Sequence, residues 1–288
     1  MNFELLRIGI ALAGTGIAAW QDQKTSFIDD RLTVGMIAAG IILNLISFDF
    51  SLITFSLGIA LIIFALGFVS YKTGQLGGGD VLLLVALQLL LPFYPNALTP
   101  ILPQQLVQVP YPFIASIFLA SAFFGLVGTS VFYAVKVAGL KKLKPNYLNL
   151  FIMLALIAFF FAATLLTPFS KSPLQIVFYL AVLLPAAFFY TFRQQIMDEV
   201  VVKRVRIKEI EEEDILATDR MPEKLVDKYG LGKVLTKKEV EKLKKMEARE
   251  KMHLFPVYKV LPRFGPYILA GLVVSLVLKD LILFVFLY

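Results

Sequence analysis

Long runs of apolar residues, separated by short polar loops, dominate this 288-residue chain. Crossing the roughly 30 Å hydrocarbon core of a bilayer takes about 20 apolar residues in a helix. The pattern therefore predicts an all-α polytopic membrane protein with about eight transmembrane helices. They fall at about 3–20, 32–48, 51–70, 81–91, 113–138, 147–168, 173–192 and 265–288.

A polar segment at 193–263 interrupts this apolar pattern and holds most of the charge. Its start is rich in valine, and Thr236 followed by Glu239 is the signature of a helix capping box. We expect a small cytoplasmic α+β subdomain here. The predicted organisation is a transmembrane catalytic helix bundle at 1–192, the subdomain at 193–263 and a final transmembrane helix at 264–288.

The positions of Lys and Arg near the ends of the runs predict the orientation. Lys24 and Arg31 flank the first loop, Lys72 lies in the third and Lys136 begins a basic fifth loop, whereas the even-numbered loops carry few charges. Basic loops stay on the cytoplasmic side. We therefore expect a multi-pass protein of the cell membrane with its N-terminus outside and loops 21–31, 71–80, 139–146 and 193–263 in the cytoplasm.

Composition agrees with a bilayer as the surrounding solvent. Hydrophobic residues make up 58% of the chain and mean hydropathy is +0.78, well above the content of soluble domains. The net charge of +7 fits basic cytoplasmic loops, so no nucleic-acid partner is expected. With no Cys and with His253 as the one histidine, we expect no metal site, no cofactor and no Ser/His triad.

Two aspartates stand at the edges of apolar runs, where ionisable residues are costly and often functional. Asp22 follows the first run, and Asp80 ends a three-glycine turn directly before the fourth. The predicted topology places both on the cytoplasmic side. If they approach closely, the pair shares a proton, so one carboxylate can act as a general base on water and the other as a general acid. The alternative is that each is an ordinary helix-end residue, Asp80 being an N-cap.

The turn before Asp80 consists of Gly77, Gly78 and Gly79. Without Cβ atoms, glycines allow positive φ and let another backbone come close. We therefore expect the three to bind an extended substrate segment beside Asp80.

At these residues the sequence resembles the GxGD aspartyl proteases, and most closely the archaeal type IV prepilin and preflagellin peptidases. The motif Gly77-Gly78-Gly79-Asp80 begins a membrane helix, and Asp22 ends the first helix. The spacing of Asp22, Ile28 and Asp30 is similar to the first-aspartate loop of the family. The resemblance is most specific over residues 15–90.

This resemblance implies a membrane aspartyl endopeptidase with Asp22 and Asp80 as catalytic residues. Its partners would be pilin-like or archaeal flagellin precursors, whose short basic leader is cut at the cytoplasmic face just before a hydrophobic helix. The bacterial branch of the family also methylates the new N-terminus and carries a cysteine motif, which this chain lacks. Leu82 replaces a Lys that is common in the family, which removes a positive neighbour of the pair.

Three further residues in the first loop are candidates for binding substrate. Asp29 and Asp30 are placed to attract a basic leader, and Gln21 to hydrogen-bond the aspartates or the substrate. The alternative for Asp29 and Asp30 is a solvated acid pair at the start of the second helix.

Two other functional classes remain open. An ion-coupled transporter would also use carboxylates at the membrane edge, but such proteins usually show repeated halves and broken helices. A presenilin-like intramembrane protease would carry its first aspartate inside a later helix. The adjacent Lys279 and Asp280 interrupt the last apolar run; we expect them to reach water at the outer interface, with an intramembrane role as the alternative.

Overall fold

The computed structural model describes residues 3–98, 111–140, 142–166, 172–210, 214–250 and 252–287. Most of them are helical, as the apolar pattern predicts. The helices are α1 (Glu4–Thr25), α2 (Asp30–Ile46), α3 (Phe50–Lys72), α4 (Gly78–Leu90), α5 (Phe113–Ala138), α6 (Tyr147–Leu166), α7 (Pro173–Gln195), α8 (Glu223–Tyr229), α9 (Lys237–Glu250), α10 (Gly265–Leu278) and α11 (Leu281–Leu287). The strands are β1 (Val202–Val205), β2 (Ile215–Leu216) and β3 (Phe255–Tyr258).

Three helical segments among the described residues are long and apolar enough to cross a membrane. They are Phe50–Lys72, Phe113–Ala138 and Pro173–Val201, the last of which joins α7 to a π-helical turn at Ile196–Val201. By contrast, α4 has 13 residues and is about 20 Å long, shorter than the hydrocarbon core. The number of about eight crossings stays a prediction.

The last apolar run forms two helices, so the prediction of a single final helix over 264–288 is wrong. The chain turns at Lys279, which has a φ of 66°. Asp280 is only 2% exposed and accepts hydrogen bonds from the hydroxyls of Tyr111 and Ser116 at 2.6 Å each and from the Leu283 N–H at 2.8 Å. The expectation that Asp280 reaches water is therefore wrong, because its buried carboxylate instead caps the start of α11.

Helix α4 lies at the centre of the helical bundle. From Val81 to Leu90 every residue except Leu82 is buried, and the helix packs against α2 and α3 and also contacts α1 and α5. Glycines permit the closest approaches: a Cβ on Gly67 of α3 would lie 2.3 Å from Val81, and one on Gly40 of α2 would lie 2.8 Å from Leu89. The surrounding helices therefore fix the position of α4 and of the residues at its start.

A buried polar cluster holds the far end of α4. Arg7 donates from Nη1 to Oδ1 of Asn44 at 2.7 Å and to the Leu90 carbonyl at 3.2 Å. Asn44 in turn donates to the Ser56 hydroxyl at 2.9 Å and to the Leu89 carbonyl at 3.1 Å. A cation and an amide thus satisfy the carbonyls that the last turn of a helix leaves unpaired.

Residues 202–258 contain a small sheet and two helices, in agreement with the predicted α+β subdomain. The sheet is antiparallel in the order β1-β3-β2, with Val205 opposite Phe255 and Leu216 opposite Val257. Its own apolar core includes Leu216, Leu235, Leu243, Met246 and Phe255. Of the acidic cluster at 211–214, the first three residues lie outside the described part of the chain, and Asp214 pairs with Lys259 at 2.6 Å.

Candidate active site

Asp22 lies in the last turn of α1 and is 7% exposed. Its Oδ2 accepts a hydrogen bond of 2.8 Å from the backbone N–H of Gly265, the first residue of α10. The helix ends just beyond it, because Ser26 takes a left-handed conformation and donates its N–H to the Asp22 carbonyl at 2.8 Å. The carboxylate of Asp22 is therefore held between the end of one helix and the start of another.

Asp80 is the third residue of α4, which begins at Gly78 after Gly77 in an extended conformation. Its Oδ2 would lie 3.1 Å from a Cβ on Gly77. Its Oδ1 is buried and has no hydrogen-bond partner in the part of the chain that the structure describes. One oxygen of Asp80 is therefore free to meet a group that enters the site.

The glycines of the turn before Asp80 do not have the positive φ angles that the sequence suggested. Gly77 has a φ of −69°, and the positive-φ glycines of the described chain are Gly74 and Gly230. What the turn requires is space, since a Cβ on Gly79 would lie 2.8 Å from the Cβ of Ile28. Gly78 meets only ordinary contacts, with the nearest atom of Tyr71 at 3.5 Å.

The two aspartates come from neighbouring helices and interact with each other. Helices α1 and α4 are in contact, and Ile28 from the loop after α1 packs on Gly79 at the start of α4. Asp22 and Asp80 are close enough for the charge of one to act on the other. Ionising two buried carboxyls that act on each other is costly, so one of the two is favoured to keep its proton.

Burial dominates the electrostatics of this pair, which lies just outside the predicted apolar runs 3–20 and 81–91. It raises the pKa of Asp22, while the Gly265 N–H and then Arg263 act in the opposite direction. Burial, and after it the charge of Asp22, raises the pKa of Asp80 to about 7. The pair can therefore hold one proton near neutral pH, which acid–base catalysis of hydrolysis requires.

Two other predicted residues of the first loop, Gln21 and Asp29, make local structural contacts. Gln21 accepts the Asp29 N–H at 3.1 Å through Oε1, and the Asp29 carboxylate caps α2 by accepting the Arg31 N–H at 2.9 Å. The described contacts of Gln21 are thus to the loop backbone. Asp29 and Asp30 are both exposed and remain accessible to a ligand.

Sequence reasoning missed Gly265 and Arg263. Arg263 donates from Nε to the Ser26 hydroxyl at 3.1 Å and from Nη1 to the Gln23 carbonyl. A single Arg before an apolar run is typical of a cytoplasmic flank, and a glycine at the start of a helix is unremarkable. Neither residue carries a motif that would relate it to Asp22.

Among the described residues, no group of three or more His, Asp or Glu side chains has the arrangement of a metal site. The fold and the site together define a helical membrane protein with an interacting aspartate pair at one end of its bundle.

Comparison with known proteins agrees with this class. Residues 10–141 match the type IV leader peptidase family, a segment that contains both Asp22 and Asp80. The chain is also 36% identical over 100 residues to the prepilin peptidase EppA of Methanothermobacter thermautotrophicus. That alignment covers 33% of this chain and 26% of the relative, so the match spans about a quarter of that protein. No solved structure matches the chain. The resemblance to the type IV prepilin peptidases is therefore confirmed over this segment.

Proposed function

We propose that the protein is a membrane aspartyl endopeptidase that removes the short basic leader from type IV pilin-like or archaeal flagellin precursors. The observation that carries this proposal is the interacting pair Asp22 and Asp80 within the segment that matches the leader peptidase family. The reaction takes place at the cytoplasmic face of the membrane, where the predicted topology puts both aspartates.

The chemistry needs one proton on the pair and one water molecule. The ionised carboxylate accepts a proton from the water molecule while the water oxygen forms a bond to the carbonyl carbon of the scissile peptide. The protonated carboxylate gives its proton to the carbonyl oxygen. When the C–N bond breaks, the leaving nitrogen takes a proton from the aspartate pair. One hydroxyl of the tetrahedral intermediate then gives a proton back to the pair. The products are a new carboxyl end, a new amino end and a pair that again shares one proton.

The surroundings of the pair support a precursor with a basic leader. Asp29 and Asp30 are exposed at the start of α2, after the loop that follows α1, where their charges can attract Lys and Arg of the leader. Gly77 is exposed directly before the helix that carries Asp80, where an extended substrate backbone can approach. The unpartnered Oδ1 of Asp80 can act on its peptide carbonyl.

Co-expression with candidate precursors tests this function. Each precursor has a basic leader followed by an apolar helix, and cleavage is read as a size shift on a gel. We expect the wild type to cleave at least one of them and Asp22→Asn and Asp80→Asn to cleave none. Asparagine retains an oxygen that can accept the Gly265 N–H, so the fold is preserved while the proton chemistry is lost.

Asp49→Asn is the matched control. Asp49 is exposed and caps α3 by accepting the Leu52 N–H at 3.1 Å, and asparagine caps a helix equally well. This variant should cleave like the wild type. Full cleavage by either Asp22→Asn or Asp80→Asn would refute the proposal, and substrate uptake into vesicles driven by an ion gradient would favour a transporter instead.

A further inference from the structure

The end of α1 and the start of α10 cap each other. Asp22 of α1 accepts the N–H of Gly265 at 2.8 Å, which satisfies an orphan donor at the start of α10. In return, Arg263, two residues before Gly265, donates to the Gln23 carbonyl and to the Ser26 hydroxyl at the end of α1. We call these two interactions the reciprocal clamp.

This clamp surrounds Asp22 with groups that favour its ionised form. The N-terminus of a helix carries a partial positive charge, and an N–H that points at a carboxylate stabilises the anion. The Arg263 guanidinium adds a full positive charge that acts on the same carboxylate. The close approach of α10 to Asp22 depends on the missing side chain of Gly265. A Cβ there would lie 3.0 Å from Oδ2 of Asp22 and 3.4 Å from Cα of Ala19.

Among the residues that the structure describes, no cation acts on Asp80 as Arg263 acts on Asp22. In the described part of the chain, Arg263 is the charged side chain that acts on Asp22, and Asp22 is the one that acts on Asp80. The start of α4 and the Gly77 amide favour a negative charge on Asp80. Against them stand a buried Oδ1 without a partner and the neighbouring carboxylate. The two members of the pair are therefore not equivalent.

We propose that Arg263 is a positioning residue that keeps Asp22 as the ionised member of the pair, so that Asp22 is the general base and Asp80 is the proton donor. This inference rests on the proposed function and assigns the roles of general base and general acid to particular aspartates. In the first step the water proton goes to Asp22 and the Asp80 proton goes to the oxygen of the scissile carbonyl. Arg263 touches neither the water nor the peptide and acts through Asp22.

The test is the pH dependence of kcat/KM for leader cleavage by the full-length protein in detergent. The variants are Arg263→Gln, which removes the charge, and Arg263→Lys, which keeps it. Arg204→Gln is the matched control, because Arg204 is exposed on β1 of the subdomain. The position of a pH limb does not depend on how much of the enzyme is folded, so the readout is independent of a loss of yield.

The acidic limb reports the ionisation of the general base. Without the cation, Asp22 holds its proton to higher pH, so Arg263→Gln should move this limb upward by roughly 0.5–1 pH unit. Arg263→Lys should leave it near the wild-type position, and Arg204→Gln should change nothing. If Arg263→Gln does not fold, Ser26→Gly replaces it as the test variant. It removes the hydroxyl that binds Arg263, and glycine suits the left-handed conformation of residue 26. We expect Ser26→Gly to shift the acidic limb upward by a smaller amount.

Two results would overturn this assignment. If Arg263→Gln and Arg263→Lys lower kcat/KM equally at every pH, Arg263 has a structural role only. If the alkaline limb moves instead, the cation acts on Asp80. Both results require an active wild type with essential aspartates, so they differ from a failure of the proposed function, in which the wild type does not cleave or the asparagine variants do.

Discussion

The three glycines before Asp80 differ in what surrounds them, which makes the turn testable one residue at a time. A Cβ on Gly79 would overlap the Cβ of Ile28 at 2.8 Å, whereas one on Gly78 would meet the Tyr71 ring at an ordinary 3.5 Å. We expect Gly79→Ala to lower kcat/KM for leader cleavage at least about tenfold, because a displacement near 1 Å at a catalytic group is that costly.

Gly78→Ala is the matched control for Gly79→Ala, since it adds the same methyl group one residue earlier. It should retain at least half of the wild-type kcat/KM. Thermal unfolding in detergent checks that both variants are folded. Equal activity of the two variants would show that the contact between Ile28 and Gly79 does not position Asp80.

At the residue scale, the sequence was enough to predict Asp22 and Asp80 as candidates. Carboxylates at the edges of apolar runs are few, and the glycine turn marks the second of them. Their environment was not predictable, because the donor to Asp22 lies 243 positions away at Gly265. Sequence patterns describe neighbours along the chain, and the packing of α10 on α1 is what brings Gly265 and Arg263 to the site.

At the scale of elements, the position of α4 depends on both of its ends. Its start packs on Ile28, and its last carbonyls accept hydrogen bonds from Arg7 and Asn44. Arg7 is 8% exposed and Asn44 is 1% exposed, so removing one partner leaves the other buried with fewer hydrogen bonds. We expect Arg7→Met or Asn44→Leu to lower the free energy of unfolding by about 2–4 kcal/mol.

Thermal unfolding of the purified protein in detergent measures this loss, with the exposed Arg31→Met as a control that should leave the unfolding temperature unchanged. The double variant Arg7→Met/Asn44→Leu should lose less than the sum of the two single losses, because it removes both polar partners together. Additive losses would mean that the two side chains do not stabilise α4 as a unit.

Helix positions were predictable to within a few residues wherever an apolar run is bounded by polar or proline residues. The break between α10 and α11 was not. The run from 265 to 288 has no glycine or proline near Lys279, and the charges of Lys279 and Asp280 that interrupt it are also compatible with one continuous helix. What stabilises the break is tertiary, since the hydroxyls of Tyr111 and Ser116 bind the carboxylate that caps α11.

At the scale of the whole molecule, the subdomain is joined to both halves of the site. Ile215 of β2 lies against Gly74, in the loop that leads to Asp80. The segment after β3 is fastened by the hydrogen bond from the Tyr133 hydroxyl to the Val260 carbonyl at 3.0 Å and then supplies Arg263 to the end of α1. A displacement of the subdomain would therefore shift the loop before Asp80 through Gly74 and the end of α1 beside Asp22 through Arg263.

Alanine substitutions at two glycines can distinguish an effect of the subdomain on the Asp80 loop from a general loss of stability. Gly74 and Gly230 have φ values of 71° and 54°, so alanine at either position costs about 1–2 kcal/mol of backbone strain. A Cβ on Gly74 would lie 3.2 Å from Ile215, whereas one on Gly230 meets nothing within 4 Å. We expect both variants to lose similar stability in thermal unfolding, but only Gly74→Ala to lower kcat/KM for leader cleavage, by about threefold or more, which corresponds to roughly 0.7 kcal/mol. Because the strain is matched, an equal loss of kcat/KM in Gly230→Ala would show that cleavage follows overall stability and that the contact between the subdomain and the Asp80 loop has no part in it.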